Sequence, residues 1–300
     1  MKTYKQHKWY DQAIEALQLN GMSENTQFRY ARSVRLLADF YGKDHDLITE
    51  NEIKDYFLHR KNVDKWASST LRICLSGIRF YFVNVLRRDW HIFNVMRVRT
   101  ERPLPSILSN EEVQRIFSHV KTFHNYTFYS TVYSCGLRLQ EALNLEVSDI
   151  DSERMVIHVH RAKGAKDRYI PLPENTLNLL RQYWKTHRNP ILIFPARGRS
   201  NKEALTAEHP MATSSVQNVF RKAVIDAGIK KRKISIHSLR HAYATHLLEA
   251  GVNVHAIQRY MGHARLESTL IYLHLTKKGA EEAYDVINKV MKGFNYVENS

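Results

Sequence analysis

The sequence predicts a mainly α-helical protein in two parts, and three observations carry that prediction. Apolar residues recur at three- and four-residue spacing through most of the 300 residues, the signature of helices that each bury one face. Strand-like runs are confined to one stretch, "RMVIHVHRAKGAKDRYIPLP", at 154–173. A proline-bearing segment, "RVRTERPLPSILS", interrupts the helices about a third of the way along, and the chain is long enough to bury a core on either side of it.

Four helices account for the first hundred residues. One runs from Trp9 to Leu19. The next, "SENTQFRYARSVRLLADFYG", has Ser23 placed to accept from the orphan N–H groups at its start and Gly42 placed to end it. "TENEIKDYFLHR" opens with Thr49 and Glu52 in capping-box spacing, and "SSTLRICLSGIRFYFVNVL" carries Leu71, Leu75, Ile78, Phe82 and Val85 at helical spacing.

Pro103 and Pro105 forbid a continuing helix, so residues 97–108 read as a linker between a domain at 1–96 and another at 109–300. After it a helix begins at Asn110 and a second runs through "YSTVYSCGLRLQEALNL". The strand-like runs form a hairpin with Lys163 near its tip. The remainder is helical: "TLNLLRQYWKTH", "SSVQNVFRKAVIDAG", "HSLRHAYATHLLEAG", "VHAIQRYMG", "LESTLIY" and a last amphipathic segment near 279–292.

Lysine and arginine number 45 against 30 acidic residues, a formal charge of +15, and both parts are basic: 17 against 11 in residues 1–100, 28 against 19 in 101–300. A polyanionic partner is implied. No apolar run approaches a membrane-spanning length, and "MKTYKQHKWYDQ" lacks the apolar core of a signal peptide, so nucleic acid is favoured over a membrane surface. Arg29, Arg32, Arg35, Arg72 and Arg79 fall at intervals that place several on helix faces, either as solvated charge or as a DNA-facing stripe. With Cys74 and Cys135 alone there is no disulfide framework and no CxxC pair, which fits a reducing cytoplasm.

Candidate chemistry clusters in the second part. Arg138 sits in "CGLRLQEALNL", where a buried charge is costly without a partner or ligand, and Glu141 three residues on offers an internal ion pair. His237 and Arg240 in "IHSLRH" share a helix face. His237, His241 and His246 raise a metal site, but HExxH is absent and no cysteine or carboxylate stands at ligand spacing, so an anion site is the better reading. His263 follows a glycine that can end a helix, and Tyr272 lies among Leu266, Leu270, Ile271 and Leu273, as a core tyrosine would. The set says more than its members. Two guanidiniums can grip the non-bridging oxygens of a phosphodiester, imidazoles can donate to them, a lysine can protonate the departing oxygen and a phenol can attack phosphorus.

Arg138 in "GLRLQEAL", Lys163 in "AKGAKDRYIPL", "HSLRHAYATHLLEAG", "MGH" and "STLIYLH" resemble the tyrosine recombinase (phage integrase) family, most closely bacterial Xer-type recombinases and integron integrases. The match covers about residues 110–275, in the family's order and with nine residues from His263 to Tyr272. Ala162 replaces a frequent glycine, Met261 a usual leucine, and the segment that marks integron integrases is not evident. The resemblance implies an N-terminal SAM-like core-binding domain and a mostly helical catalytic domain with a small antiparallel β-sheet.

It also implies a catalytic set of Arg138, Lys163, His237, Arg240, His263 and Tyr272, with Glu141 in support. Tyr272 would attack one strand of duplex DNA to give a 3′-phosphotyrosyl ester, Lys163 would protonate the 5′-oxygen, and His237 is the candidate base. Neither metal nor cofactor is expected. A tetramer on two recombination sites is implied, from a chain that is monomeric or dimeric when free, and the tail "KKGAEEAYDVINKVMKGF" would dock on a neighbouring subunit or on its own domain. Two alternatives stand beside this reading: a type IB topoisomerase and a non-catalytic DNA-binding protein.

Overall fold

The computed structural model describes residues 8–98, 105–160, 167–198 and 201–273. It divides by internal contacts into Met1–Pro103 and Leu104–Ser300.

The first unit is helical: α1 (Lys8–Leu19), α2 (Glu24–Tyr41), α3 (Glu50–Asn62), α4 (Ser68–Asn84) and a single turn, α5 (Ile92–Val95). Gly42 ends α2 in the left-handed conformation, with φ 64°. Thr49 and Glu52 form the full capping box of α3, each side chain satisfying the other's backbone N–H. The core gathers Leu37, Ile53, Tyr56, Ile78 and Phe82. Helices α2 and α4 approach so closely that a Cβ on Gly77 would stand 2.9 Å from the Cα of Tyr30, and a bare glycine is what permits the crossing.

The second unit begins inside the expected linker. Leu108 is completely buried in its core, and Ser106 Oγ donates to the carbonyl of Arg232 at 3.0 Å. Helix α6 (Asn110–Ser118) follows, opened by a capping box of Ser109 and Glu112, and α7 (Phe123–Cys135) comes next. The single helix expected through 129–145 is in fact broken. Gly136 turns left-handed with φ 60°, ends α7, and α8 (Leu139–Leu143) starts afresh.

Three short strands form an antiparallel sheet in the order β1 (Ile150–Asp151), β2 (Val156–Val159), β3 (Arg168–Pro171), with Ile157 opposite Ile170 and Val159 opposite Arg168. Lys163 falls between β2 and β3 and lies outside the described residues, as does the tail at 277–294 with its expected helix. Helices α9 (Glu174–His187), α10 (Asn201–Leu205), α11 (Thr213–Asp226), α12 (Ile236–Glu249), α13 (Val254–Met261) and α14 (Glu267–Leu273) complete the unit. Its main core joins Phe128, Val132, Ile157, Ile170, Phe194, Phe220 and Leu239. A smaller cluster of Tyr243, Ala244, Ile257, Met261 and Tyr272 ties α12, α13 and α14 together. Among the described residues no helix is long and apolar enough to cross a membrane.

Candidate active site

The break at Gly136 decides where Arg138 goes. Arg138 is not inside a helix, as its apolar neighbours suggest, but at the residue before α8, in extended conformation (φ −73°, ψ 153°). Its own N–H donates to Glu141 Oε2 at 2.8 Å while its Nη1 donates to Oε1 at 2.7 Å. The side chain stays 37% exposed, so part of it remains open to solvent. A methyl on Gly136 would sit 2.4 Å from Cδ1 of Tyr243, and the left-handed φ disfavours any side chain there. Gly136→Ala should therefore cost about 1–3 kcal/mol, read as a lower urea midpoint of the full chain.

Three arginines meet at one carboxylate. Glu141, whose side chain is only 7% exposed, receives Arg138 at 2.7 Å, Arg168 at 2.7 Å and, at ionic distance, Arg240 at 3.8 Å. The same three guanidiniums reach the end of α13, where the carbonyls of Tyr260, Met261 and Gly262 accept from Arg168, Arg240 and Arg138 in turn. These carbonyls are the negative end of a helix that has no further turn to bond them, so cations satisfy them. Arg240 also donates to the carbonyl of Gly136, which links α12 to the break after α7. Burial drives the Glu141 pKa upward, yet its hydrogen bonds to Arg168 and Arg138 outweigh this and hold it at about 2. Burial, with Arg138 beside it, lowers that of Arg240.

Gly262 turns the chain left-handed out of α13 and hands it to His263. His263 Nδ1 lies 2.8 Å from Thr269 Oγ1, and its ring lies nearly parallel to that of Tyr272, 6.3 Å between centroids. Tyr272 is 3% exposed, and its hydroxyl is 2.8 Å from Nδ1 of His241. Burial, then His237 and Arg240, push His241 down to about 4, and burial followed by Arg240 and Arg138 do the same to His263. Both imidazoles are thus neutral at physiological pH. Burial raises the Tyr272 phenol while Arg240 and Arg138 pull it the other way.

The structure thus brings Arg138, Glu141, Arg240, His263 and Tyr272 into one connected site. His237 stands at the exposed start of α12, its ring 4.5 Å from that of His241, so the phenol's partner is His241 and not His237, the base expected from the sequence. Two residues were missed, Arg168 and His241. Arg168 could have been found from strand alternation, which puts it on the same face as Ile170. His241 lies four residues after His237, and sequence spacing cannot say which of two imidazoles on one helix face meets a third element.

A cleft of about 810 Å³ is lined by Arg138 and His263 and, on β2 and just after it, by His158 and His160. Asp149 also lines the cleft, 2.8 Å from Nε2 of His160. Among the described residues no group of three histidine, cysteine or acidic side chains is arranged to hold a metal. The five N-terminal arginines belong to the first unit. Arg29, Arg32, Arg72 and Arg79 are exposed, while Arg35 is half-buried and 3.6 Å from Asp39. Arg29 and Arg32 line a groove with Phe28, Trp66 and Thr70.

Guanidiniums, neutral imidazoles and a phenol joined in one site, with Arg138 and His263 on the cleft, suit phosphoryl transfer, where donors must be in place before charge develops on the phosphate oxygens. The description "Phage integrase family" matches residues 106–279, and "Phage integrase, N-terminal SAM-like domain" matches residues 9–92. A Sinorhizobium fredii protein carrying an integrase/recombinase name is 37% identical over 262 residues, 87% of this chain and 82% of its own. A tyrosine recombinase of Thermosipho africanus is 30% identical over 89% of this chain and 94% of its own. In fold, the Tn1549 transposon integrase, solved with circular intermediate DNA, aligns with TM-score 0.70 at 18% identity, across 93% of this chain and 99% of that one. The chain belongs to the phage integrase family of tyrosine recombinases.

Proposed function

We propose that this protein is a site-specific DNA recombinase that cuts and rejoins duplex DNA through a 3′-phosphotyrosyl intermediate. The observation that carries the reading is the phenol of Tyr272 on a neutral imidazole, beside two guanidiniums fixed by Glu141 and the end of α13.

Arg138 and Arg240 hold the non-bridging oxygens of the scissile phosphate, and His263 donates to the same group. Tyr272 Oη forms a bond to phosphorus as the bond from phosphorus to the 5′-oxygen breaks. The phenolic proton passes to Nδ1 of His241, and Lys163 supplies a proton to the departing 5′-oxygen. His237, beside His241, takes the second place on the proton's way out. The ester preserves the energy of the broken bond, so the reverse attack by a 5′-hydroxyl rejoins a strand without ATP, and no metal is required of the scheme. At 3% exposure Tyr272 needs a shift of α14 to meet a phosphate. The 1–96 unit binds the same DNA, with Arg29, Arg32, Arg35, Arg72 and Arg79 as its phosphate contacts, and four subunits act on two sites in the cytoplasm.

The test is covalent trapping: wild-type protein with fragmented genomic DNA in EDTA, stopped with detergent, and the attached DNA sequenced. Adducts clustered on one inverted-repeat sequence are expected. Scattered adducts with relaxation of any supercoiled plasmid would instead indicate a topoisomerase, and site-specific binding without adducts, even on suicide substrates carrying a nick, would overturn the catalytic reading.

A further inference from the structure

Thr269 is fully buried on α14, three residues before Tyr272, and its hydroxyl behaves unlike those of three other buried helical threonines. Thr127, Thr131 and Thr245 each donate back to the carbonyl four residues earlier, at 2.9, 2.8 and 3.1 Å. The hydroxyl of Thr269 is bonded instead to Nδ1 of His263 at 2.8 Å. Among the described residues it makes no other hydrogen bond. A buried hydroxyl has a single hydrogen to place, and the imidazole nitrogen is the acceptor within its reach. If that nitrogen carried a proton of its own, the threonine hydrogen would be left without a partner in a dry site.

The His263 ring is fixed from its main chain as well. Its N–H donates to the carbonyl of Gln258 at 3.1 Å, and the Gln258 amide donates to the His263 carbonyl at 3.2 Å. Side chain and backbone are thus held by separate partners, leaving Nε2 as the ring nitrogen not bonded to Thr269, in a residue that lines the cleft together with Arg138.

We propose that Thr269 is a positioning residue that locks neutral His263 in the tautomer bearing its proton on Nε2, making this histidine a hydrogen-bond donor to the phosphate rather than an acceptor. The tautomer follows from the hydroxyl alone. Its use on a phosphate rests on the recombinase reading above.

Full-length protein labelled with 15N-histidine, with His263 identified by difference from His263→Gln, reports the tautomer by NMR without DNA. Wild type and Thr269→Ser should show Nε2 protonated and Nδ1 bare, and Thr269→Val should show a mixture. On a nicked suicide substrate, Thr269→Val should form covalent product about tenfold more slowly, the weight of one neutral hydrogen bond, with DNA binding within about twofold, while Thr269→Ser stays within about threefold of wild type. Protonated Nδ1 in the wild type, an unchanged tautomer in Thr269→Val, or a serine variant as slow as the valine one would overturn the proposal. Should the NMR result hold and wild type form no adduct, the tautomer assignment stands and the recombinase reading fails.

Discussion

Replacing Tyr272 with phenylalanine should abolish covalent protein–DNA adducts while leaving DNA binding within about twofold of wild type. The ring packs against Tyr243, Ala244, Ile257 and Met261, and phenylalanine fills the same space, so the cluster joining α12, α13 and α14 should survive. What disappears is one oxygen. Its hydrogen bond to His241 is a single neutral contact, for which a loss of about 1 kcal/mol in stability is expected. Its loss as nucleophile has no such small scale, because a phenylalanine ring carries no group that can attack phosphorus. Detergent-stable adducts, separated by electrophoresis, check the prediction. An adduct persisting in Tyr272→Phe would show that another side chain attacks.

Much of this site is legible in the sequence because its parts announce themselves locally. Thr49 with Glu52 opens α3 as its spacing says, and Gly42 stops α2. The "GH" pair before α14 marks a helix end that the structure realises at Gly262. What stays hidden depends on contacts between distant elements. Apolar spacing continues across Gly136, so the run reads as one helix, and only packing against Tyr243 reveals why a residue without Cβ must turn there. Periodicity makes Arg138 a helix-interior residue, while the break leaves it on a cap with its guanidinium free to face the cleft. Arg168 comes from a strand 27 residues after Glu141, too far for any local pairing rule. The choice between His237 and His241 is made by α14, which reaches the imidazole one turn deeper.

Glu141→Gln should be the most damaging substitution away from the reacting atoms, because one carboxylate is the shared anionic partner of three cations. A glutamine at this position keeps the shape but offers one acceptor oxygen in place of two, and its NH2 group would face guanidinium donors. Breaking a buried ion pair by removing one partner costs about 3–5 kcal/mol, and here Arg168, itself 4% exposed at the side chain, would be left with the carbonyl of Tyr260. Arg138 and Arg240 would lose the anchor that sets their spacing, so strand cleavage should fall by about a hundredfold or more even where the chain remains folded.

The pH dependence separates this from ordinary destabilisation. The folded carboxyl sits at about 2, below its ordinary 4.5, so its stabilisation is fully present above pH 4.5 and is lost as pH falls towards 2. The shift corresponds to about 3 kcal/mol. Urea unfolding in a pH series should therefore find the gap between wild type and Glu141→Gln widest at neutral pH and narrowing below pH 4.5, since the wild type progressively loses what the variant never had. A gap that stays constant down to pH 3 would mean that Glu141 acts through shape rather than charge, and the three arginines would then be held by the carbonyls at the end of α13.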